Sequence, residues 1–482
     1  MPTSTSKLLA VNMSSQAAAM IFGRVFGAIA GIVLIRYLGA EKQGVYAYII
    51  STVYLFGYLA EFGLTNMMMR EMKVKAGEGG KILGNAFIIQ VAQVAIAVLI
   101  VFLYAVFFET RATEKSILFL AAPLIMTVYL ANPFQATLNS YEKMYFTGIA
   151  QSLASILNAI AIFTAIYFKF EIKGVIVLLG VSNLFNTVIS FILCGRFAVK
   201  PVLKPEFGLM KKIFLLSFPF GLSGIFGYIF LKIDAFLIFK MAGAIQTGYY
   251  SGAARIIDIF LAALAMLLMP IYPRLSYVFK KEGRDKMLKI INLSLKYMAG
   301  ILVPFALLVT FYSRELITIL LGREYYESFL VMAILIWAVL FMVLRTIFSY
   351  ALNAAMLTRL VTVVFGFVAA WAVSANLYFI PRFGYVSTAA INVISNFGAF
   401  IALFWLFNSR VGRTSIRSFM PVILLASAAM AAILFFVKNL NPLIPGALAT
   451  AAYAAILLVL GYIGKGEIRI VKNIFSRKGG RI

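Results

Sequence analysis

The chain has 482 residues, 63% of them apolar and 12% charged, and a mean hydropathy of +0.98, which excludes an ordinary soluble globular domain and implies an integral membrane protein. The single cysteine, Cys194, and the absence of histidine exclude an intrachain disulfide, a Cys/His metal site and imidazole-based catalysis or proton relay. The formal charge of +26 is accounted for by membrane topology rather than by nucleic acid, and no GxxxxGK[ST] loop that would mark an ATPase occurs.

A membrane helix needs roughly 20 apolar residues, and about fourteen such runs follow one another. They are Leu8–Tyr37, Gly44–Met69, Ile82–Phe108, Ile117–Leu138, Phe146–Phe168, Gly174–Phe197, Ile213–Phe239, Gly248–Val278, Met287–Phe311, Phe329–Leu357, Leu360–Ile380, Tyr385–Phe407, Phe419–Val437 and Leu443–Ile463. The first is long and carries Arg24 near its middle, so it reads as a retained helix rather than a cleaved signal peptide. Assigning alternate loops to opposite sides puts most of the 43 Lys and Arg residues on the side of both termini. The positive-inside bias then predicts that both termini are cytoplasmic. After the last run, Ile468, Val471, Ile474 and Phe475 share a helical face opposite Lys465, Arg469, Lys472 and Arg477. This tail is either an interfacial helix on anionic lipid or a basic tail without fixed structure.

The chain repeats itself. Ile35–Arg70 recurs as Phe239–Arg274, 204 positions on, with Arg36, Gly39, Ala40, Gly44 and Tyr46 matched by Lys240, Gly243, Ala244, Gly248 and Tyr250. Each copy reads as a helical hairpin, with the glycines expected to supply positive φ at the turn. Six runs separate the copies, so the halves share one orientation. The predicted fold is therefore all-α and polytopic, with two parallel six-helix lobes, 1–204 and 205–410, two added helices in 411–464 and a basic tail, 465–482. Parallel repeats of this kind point to transport by alternating access around a central site.

Ionisable groups within a bilayer are costly and generally face a cavity or each other. Arg24 lies beside a Gly23, Gly27, Gly31 ladder suited to close helix packing. Lys232 maps by the repeat onto position 28, one turn from Arg24, so two cations occupy related helix faces. Asp258 maps onto position 54, two turns from Glu61. These two acids either balance the cations or bind a coupling ion. Arg255 and Asp258, three apart, either pair with each other or face the cavity. Asp234 sits two residues from Lys232 on a different face and needs a partner on another helix or on the substrate. Polar stripes accompany these charges: Asn132, Gln135 and Asn139; Gln151, Ser155 and Asn158; Asn183, Asn186 and Ser190; Arg345, Ser349 and Asn353. Each stripe either bonds helix to helix or offers hydroxyl and amide groups to a sugar.

The Arg36–Tyr46 hairpin, Glu-Phe-Gly-Leu-Thr and Met-Arg-Glu within 61–71, Lys-Ile-Asp-Ala at 232–235 and Gly-Tyr-Tyr-Ser-Gly-Ala-Ala-Arg ending at Arg255 resemble the oligosaccharide flippases. These form the polysaccharide-biosynthesis branch of the multidrug/oligosaccharidyl-lipid/polysaccharide exporter superfamily. The resemblance implies translocation of a lipid-linked oligosaccharide, with undecaprenyl diphosphate the usual carrier, across the cytoplasmic membrane. Its implied partners are that lipid, anionic membrane lipid and other polysaccharide-assembly membrane proteins. It implies no enzymatic step and no cofactor. Arg24, Lys232, Asp234, Arg255, Arg345, Asn139 and Asn353 are the expected substrate-binding residues, and Glu61 and Asp258 the candidates for ion coupling. The alternatives are a lipid-linked peptidoglycan-precursor flippase and a cation-coupled multidrug antiporter of the same superfamily.

Overall fold

In the computed structural model the described residues are 3–74, 76–268, 271–437 and 443–462; the basic tail expected at 465–482 lies outside them, as do some helical side chains, that of Arg24 among them. They form α1 (Thr3–Glu61), α2 (Leu64–Val74), α3 (Gly79–Phe107), α4 (Ala112–Ala121), α5 (Leu124–Tyr129), α6 (Asn132–Ser140), α7 (Met144–Tyr167), α8 (Ile172–Phe197) and α9 (Phe207–Ala242). There follow α10 (Ala244–Leu268), α11 (Ile271–Lys281), α12 (Arg284–Phe311), α13 (Ser313–Leu320), α14 (Ser328–Ala354), α15 (Thr358–Phe383), α16 (Tyr385–Arg410), α17 (Ile416–Phe436) and α18 (Leu443–Val459). No strand occurs among the described residues.

Ten segments among these are long and apolar enough to cross a membrane, and α18 is a shorter apolar helix. Fourteen is therefore an approximate count. The first crossing segment, which starts at Phe26, contains the end of the first predicted run and all of the second, joined at Gly39; the seventh run lies in α9 and the eighth spans α10 and part of α11. The fourth run is broken into α4, α5 and α6, with Pro123 and Pro133 at the breaks, because proline removes a backbone donor and crowds the preceding turn. The break expected at 357–360 falls at Met356, which adopts a positive φ of 62°. Large apolar side chains point outward along α3 (Ile96, Leu99, Leu103) and α8 (Leu184, Phe185, Val188, Ile192), as the lipid-facing side of a membrane helix requires.

The duplicated hairpin is visible in the backbone. Gly39 has φ 71° and ψ 170°, and its counterpart Gly243 has φ 88° and ψ 179°, a region open only to glycine. Gly44 departs from expectation, since it is helical and is not among the positive-φ glycines. Its small size serves close packing instead. A methyl on Gly44 would fall on the carbonyl oxygen of Ala244, and one on Gly248 would fall on that of Ala40. Since 40 and 44 become 244 and 248 on adding the repeat offset, this is one contact drawn twice, and the hairpins cross about a local two-fold axis.

The chain separates into two compact units. The first comprises Met1–Met266, Ile317–Val331 and Phe365–Asn392, and the second Leu267–Leu316, Met332–Val364 and Val393–Ile482. In the first, carboxylates hold the hairpin turns crosswise. Glu109, just past α3, accepts Lys240 Nζ at 2.7 Å and the Tyr48 hydroxyl at 2.5 Å, while Glu324 accepts the Ala40 N–H at 2.7 Å. Burial pushes the Glu109 carboxyl up, but the hydrogen bonds from Lys240 and Tyr48 outweigh it and hold the group below its ordinary value. In the second unit, Phe341, Phe348, Phe397, Phe400, Phe404 and Phe407 join α14 to α16. Helix α18 and the residues just after it dock on α12: the Tyr453 hydroxyl donates to the Gly300 carbonyl at 3.0 Å and that of Tyr462 to the Lys296 carbonyl.

Candidate functional site

Three of the predicted charged residues, Lys232, Arg255 and Asp258, lie near one another in the first unit, both cations within electrostatic reach of Asp258. Arg255 on α10 lies across the glycine ladder of α1 and donates from Nη2 to the Gly27 carbonyl at 3.2 Å. A Cβ on Gly31 would stand 2.6 Å from Nη2 and 2.7 Å from Nε, so the glycine is a seat for the guanidinium. Packing alone had been the expected purpose of the ladder. Lys232 and Asp258 are exposed, as is Arg255, and Asp258 lies within electrostatic reach of both cations. Neither cation forms an ion pair within 4.0 Å with Asp258 among the described residues. Charged side chains on apolar helices are costly in a bilayer and generally face a cavity or one another. Arg24 starts the turn that ends at Gly27, but its side chain lies outside the described residues.

Asp234 finds its partners on other helices. Its Oδ2 accepts the Tyr250 hydroxyl of α10 at 2.7 Å and Asn392 Nδ2 of α16 at 2.8 Å. Sequence spacing from Lys232 showed that partners were needed and could not say which. Glu61 is engaged differently. Phe62 and Gly63 carry positive φ of 26° and 76° and break the helix, and Glu61 then accepts the Thr65 N–H at 3.2 Å and Asn132 Nδ2 at 2.6 Å. That places the carboxylate at the N-terminus of α2, where negative charge is favoured.

The polar stripes of the first half bond mostly to each other. Gln135 on α6 donates to Ser190 of α8 at 3.1 Å and accepts from Gln151 of α7 at 3.1 Å, and Asn139 Oδ1 accepts the Thr147 hydroxyl at 2.9 Å. Such bonds join helices where no water can. In the second unit the buried Arg345 donates from Nε to Asn396 Oδ1 at 2.8 Å, and two turns further along α14 the Asn353 Oδ1 is buried without a hydrogen-bond partner among the described residues.

Residues 9–279 match the sequence profile of the family described as Polysaccharide biosynthesis protein. The chain belongs to that family. Among relatives of the polysaccharide biosynthesis family, a Shigella flexneri protein named for O-antigen transport is 25% identical over 345 residues, covering 67% of this chain and 79% of its own length. The Staphylococcus aureus capsular polysaccharide biosynthesis protein CapF is 22% identical over 205 residues, 42% of this chain and 51% of that one. Among solved structures, the lipid II flippase MurJ in an inward closed conformation superposes with a TM-score of 0.78 at 15% identity, over 92% of this chain and 98% of that one. An inward-facing multidrug resistance MATE family transporter gives 0.68 at 13% identity, over 80% and 94%. The fold of this polysaccharide biosynthesis protein is thus the one shared by those membrane transporters.

Sequence reasoning passed over the tyrosines. Tyr58 of α1, Tyr129 of α5 and Tyr228 of α9 gather close to Glu61, with Tyr54 of α1 near Tyr228: Tyr58 and Tyr228 stack at 4.7 Å and the Tyr129 and Tyr228 hydroxyls are 3.3 Å apart. The signal was present, because the repeat offset sets Tyr228 on Arg24 and Tyr54 on Asp258.

Proposed function

We propose that this protein is a flippase that moves a lipid-linked oligosaccharide, carried on a polyprenyl diphosphate, across the cytoplasmic membrane by alternating access. The observation that carries this reading is the open cluster of Arg255, Lys232 and Asp258, with the Arg255 guanidinium held over a glycine seat in the middle of apolar helices. A diphosphate offers oxygens that a guanidinium grips as a fork and an ammonium attracts as a point charge. Asp258 keeps the two cations partly neutralised while the site is empty, and its repulsion helps the diphosphate leave after transfer. Arg24, two turns before Gly31 in the sequence, is a candidate for a further cation in this reading. Residues 1–204 and 205–410 serve as the two moving lobes, with both termini cytoplasmic. The O-antigen and capsular relatives support a polysaccharide precursor as the cargo.

The deciding experiment deletes the gene and identifies the lipid-linked glycan that accumulates, with plasmid-borne wild type and Arg255→Gln as complements. A polyprenyl-diphosphate oligosaccharide should accumulate, be cleared by wild type and persist with Arg255→Gln. Accumulation of a peptidoglycan precursor would assign the other flippase activity, and unchanged lipid-linked pools would end the reading.

A further inference from the structure

The local two-fold relates two helix crossings that carry opposite chemistry. In both, the second helix of one hairpin lies on the first helix of the other. At one crossing Arg255 of α10 lies on Gly27 and Gly31 of α1. At the other, Tyr58 from the later part of α1 lies on α9, where a Cβ on Gly224 would collide with its hydroxyl and where its ring stacks on Tyr228. The repeat offset pairs Ser51 with Arg255, Tyr54 with Asp258 and Arg24 with Tyr228. In these three pairs a charge on one wall is matched by an aromatic ring or a hydroxyl at the related place on the other, whereas Lys232 is matched by Ala28.

Resting on the diphosphate reading above, we infer that the tyrosine wall of Tyr54, Tyr58, Tyr129 and Tyr228 is the glycan subsite, holding the first sugar while the cations hold the diphosphate. Three features support it. The first is that the wall is built, not incidental: Gly224 seats Tyr58, and a Cβ on Gly57 would stand 2.8 Å from Tyr129 Cε2, so two glycines leave room for two rings. The second is hydrogen-bonding capacity. The hydroxyls of Tyr54 and Tyr58 have no hydrogen-bond partner among the described residues, although both side chains are partly exposed, and a free phenol in an apolar helix needs a donor or acceptor from outside the protein. The third is position. Lys232 follows Tyr228 by one turn on α9, which sets a cation beside the rings as a sugar sits beside its diphosphate. A pyranose is suited to such a wall, because its axial C–H bonds pack on the electron-rich ring face while its hydroxyls meet the phenols. An apolar drug would make no use of the phenols, and a bare phosphate would make no use of the rings.

The test measures binding of two probes, undecaprenyl diphosphate and undecaprenyl diphosphate-N-acetylglucosamine, to the full-length protein in lipid nanodiscs. Wild type should bind the sugar-bearing lipid about tenfold more tightly than the bare one. Tyr228→Ala should bring that ratio close to one while leaving the Kd for the bare lipid within about twofold. Tyr54→Phe removes only a hydroxyl that no protein group engages, so it should fold as wild type does and reduce the ratio about threefold, the scale of one hydrogen bond. Arg255→Gln should weaken both probes alike and leave the ratio unchanged. A wild-type ratio of one, or a ratio undiminished in both tyrosine variants, overturns the glycan subsite while the diphosphate reading stands. Failure of wild type to bind the bare lipid overturns the diphosphate reading itself. If Tyr228→Ala does not fold, Tyr54→Phe alone decides.

Discussion

The glycine contacts at the hairpin crossing yield a prediction that depends on both copies of the repeat. Gly44→Ala would put a methyl onto the Ala244 carbonyl oxygen and Gly248→Ala one onto that of Ala40, and in each case the obstacle is backbone, which cannot rotate away. Overpacking of a tight contact costs about 1–3 kcal/mol, and a clash with main chain belongs at the top of that range. Alanine returns about 1 kcal/mol through its better helix propensity, so each variant should lose about 2 kcal/mol. Once one methyl has pushed the helices apart, the second finds space, so the double variant should lose about 2–3 kcal/mol rather than about 4. The measurement is a double-mutant cycle on unfolding of the detergent-solubilised protein. Controls are Gly366→Ala and Gly398→Ala, helical positions where a Cβ would meet nothing within 4 Å; both should be neutral or slightly stabilising. Neutral behaviour of Gly44→Ala, or strict additivity of the pair, would refute the two-fold crossing.

Gly31→Ala should displace the Arg255 guanidinium, the flexible end of a side chain, so export should fall severalfold while the melting temperature stays within about a degree of wild type. Equal loss of export and stability would make the ladder a packing device alone. Glu109→Gln should lower stability by about 1–3 kcal/mol at pH 7, because it removes the charge from a buried, hydrogen-bonded pair with Lys240. Since the Glu109 carboxyl is held below its ordinary value, its contribution is complete above that ordinary value and disappears as pH falls through the lowered one; a variant-to-wild-type difference that persists at lower pH would contradict the assignment. Topology is checked by reporter fusions: one at Arg413 should read as cytoplasmic and one at Lys438 as extracytoplasmic, and the reverse pattern would overturn the orientation.

Much of the architecture was legible in the residues because a bilayer enforces it. Apolar runs of membrane length must be helices, since the hydrocarbon offers no partner for a free backbone group. The glycine, cation and tyrosine positions of the hairpin keep register over 204 residues, so the duplication is legible in the sequence alone. Offset arithmetic related Lys232 to Arg24 and Asp258 to Glu61, and spacing set Arg255 three residues before Asp258; in the structure Asp258 lies within electrostatic reach of Lys232 and Arg255. What it could not supply was distance across helices. The same small side chain can serve a turn or a crossing, so Gly39 was read correctly as a positive-φ residue while Gly44, expected to do the same, turned out to be a contact point. Glu61 and Asp234 are both intramembrane acids in the sequence. Only the helix break at Phe62 and Gly63 made one of them a cap, and only the approach of Asn392, 158 residues away, gave the other its partner. The tyrosine wall is drawn from three helices that no local pattern connects, and its rings meet because Gly57 and Gly224 leave space for them. Periodicity along one helix records which face is polar, whereas the group that the face meets is decided by packing between helices far apart in sequence.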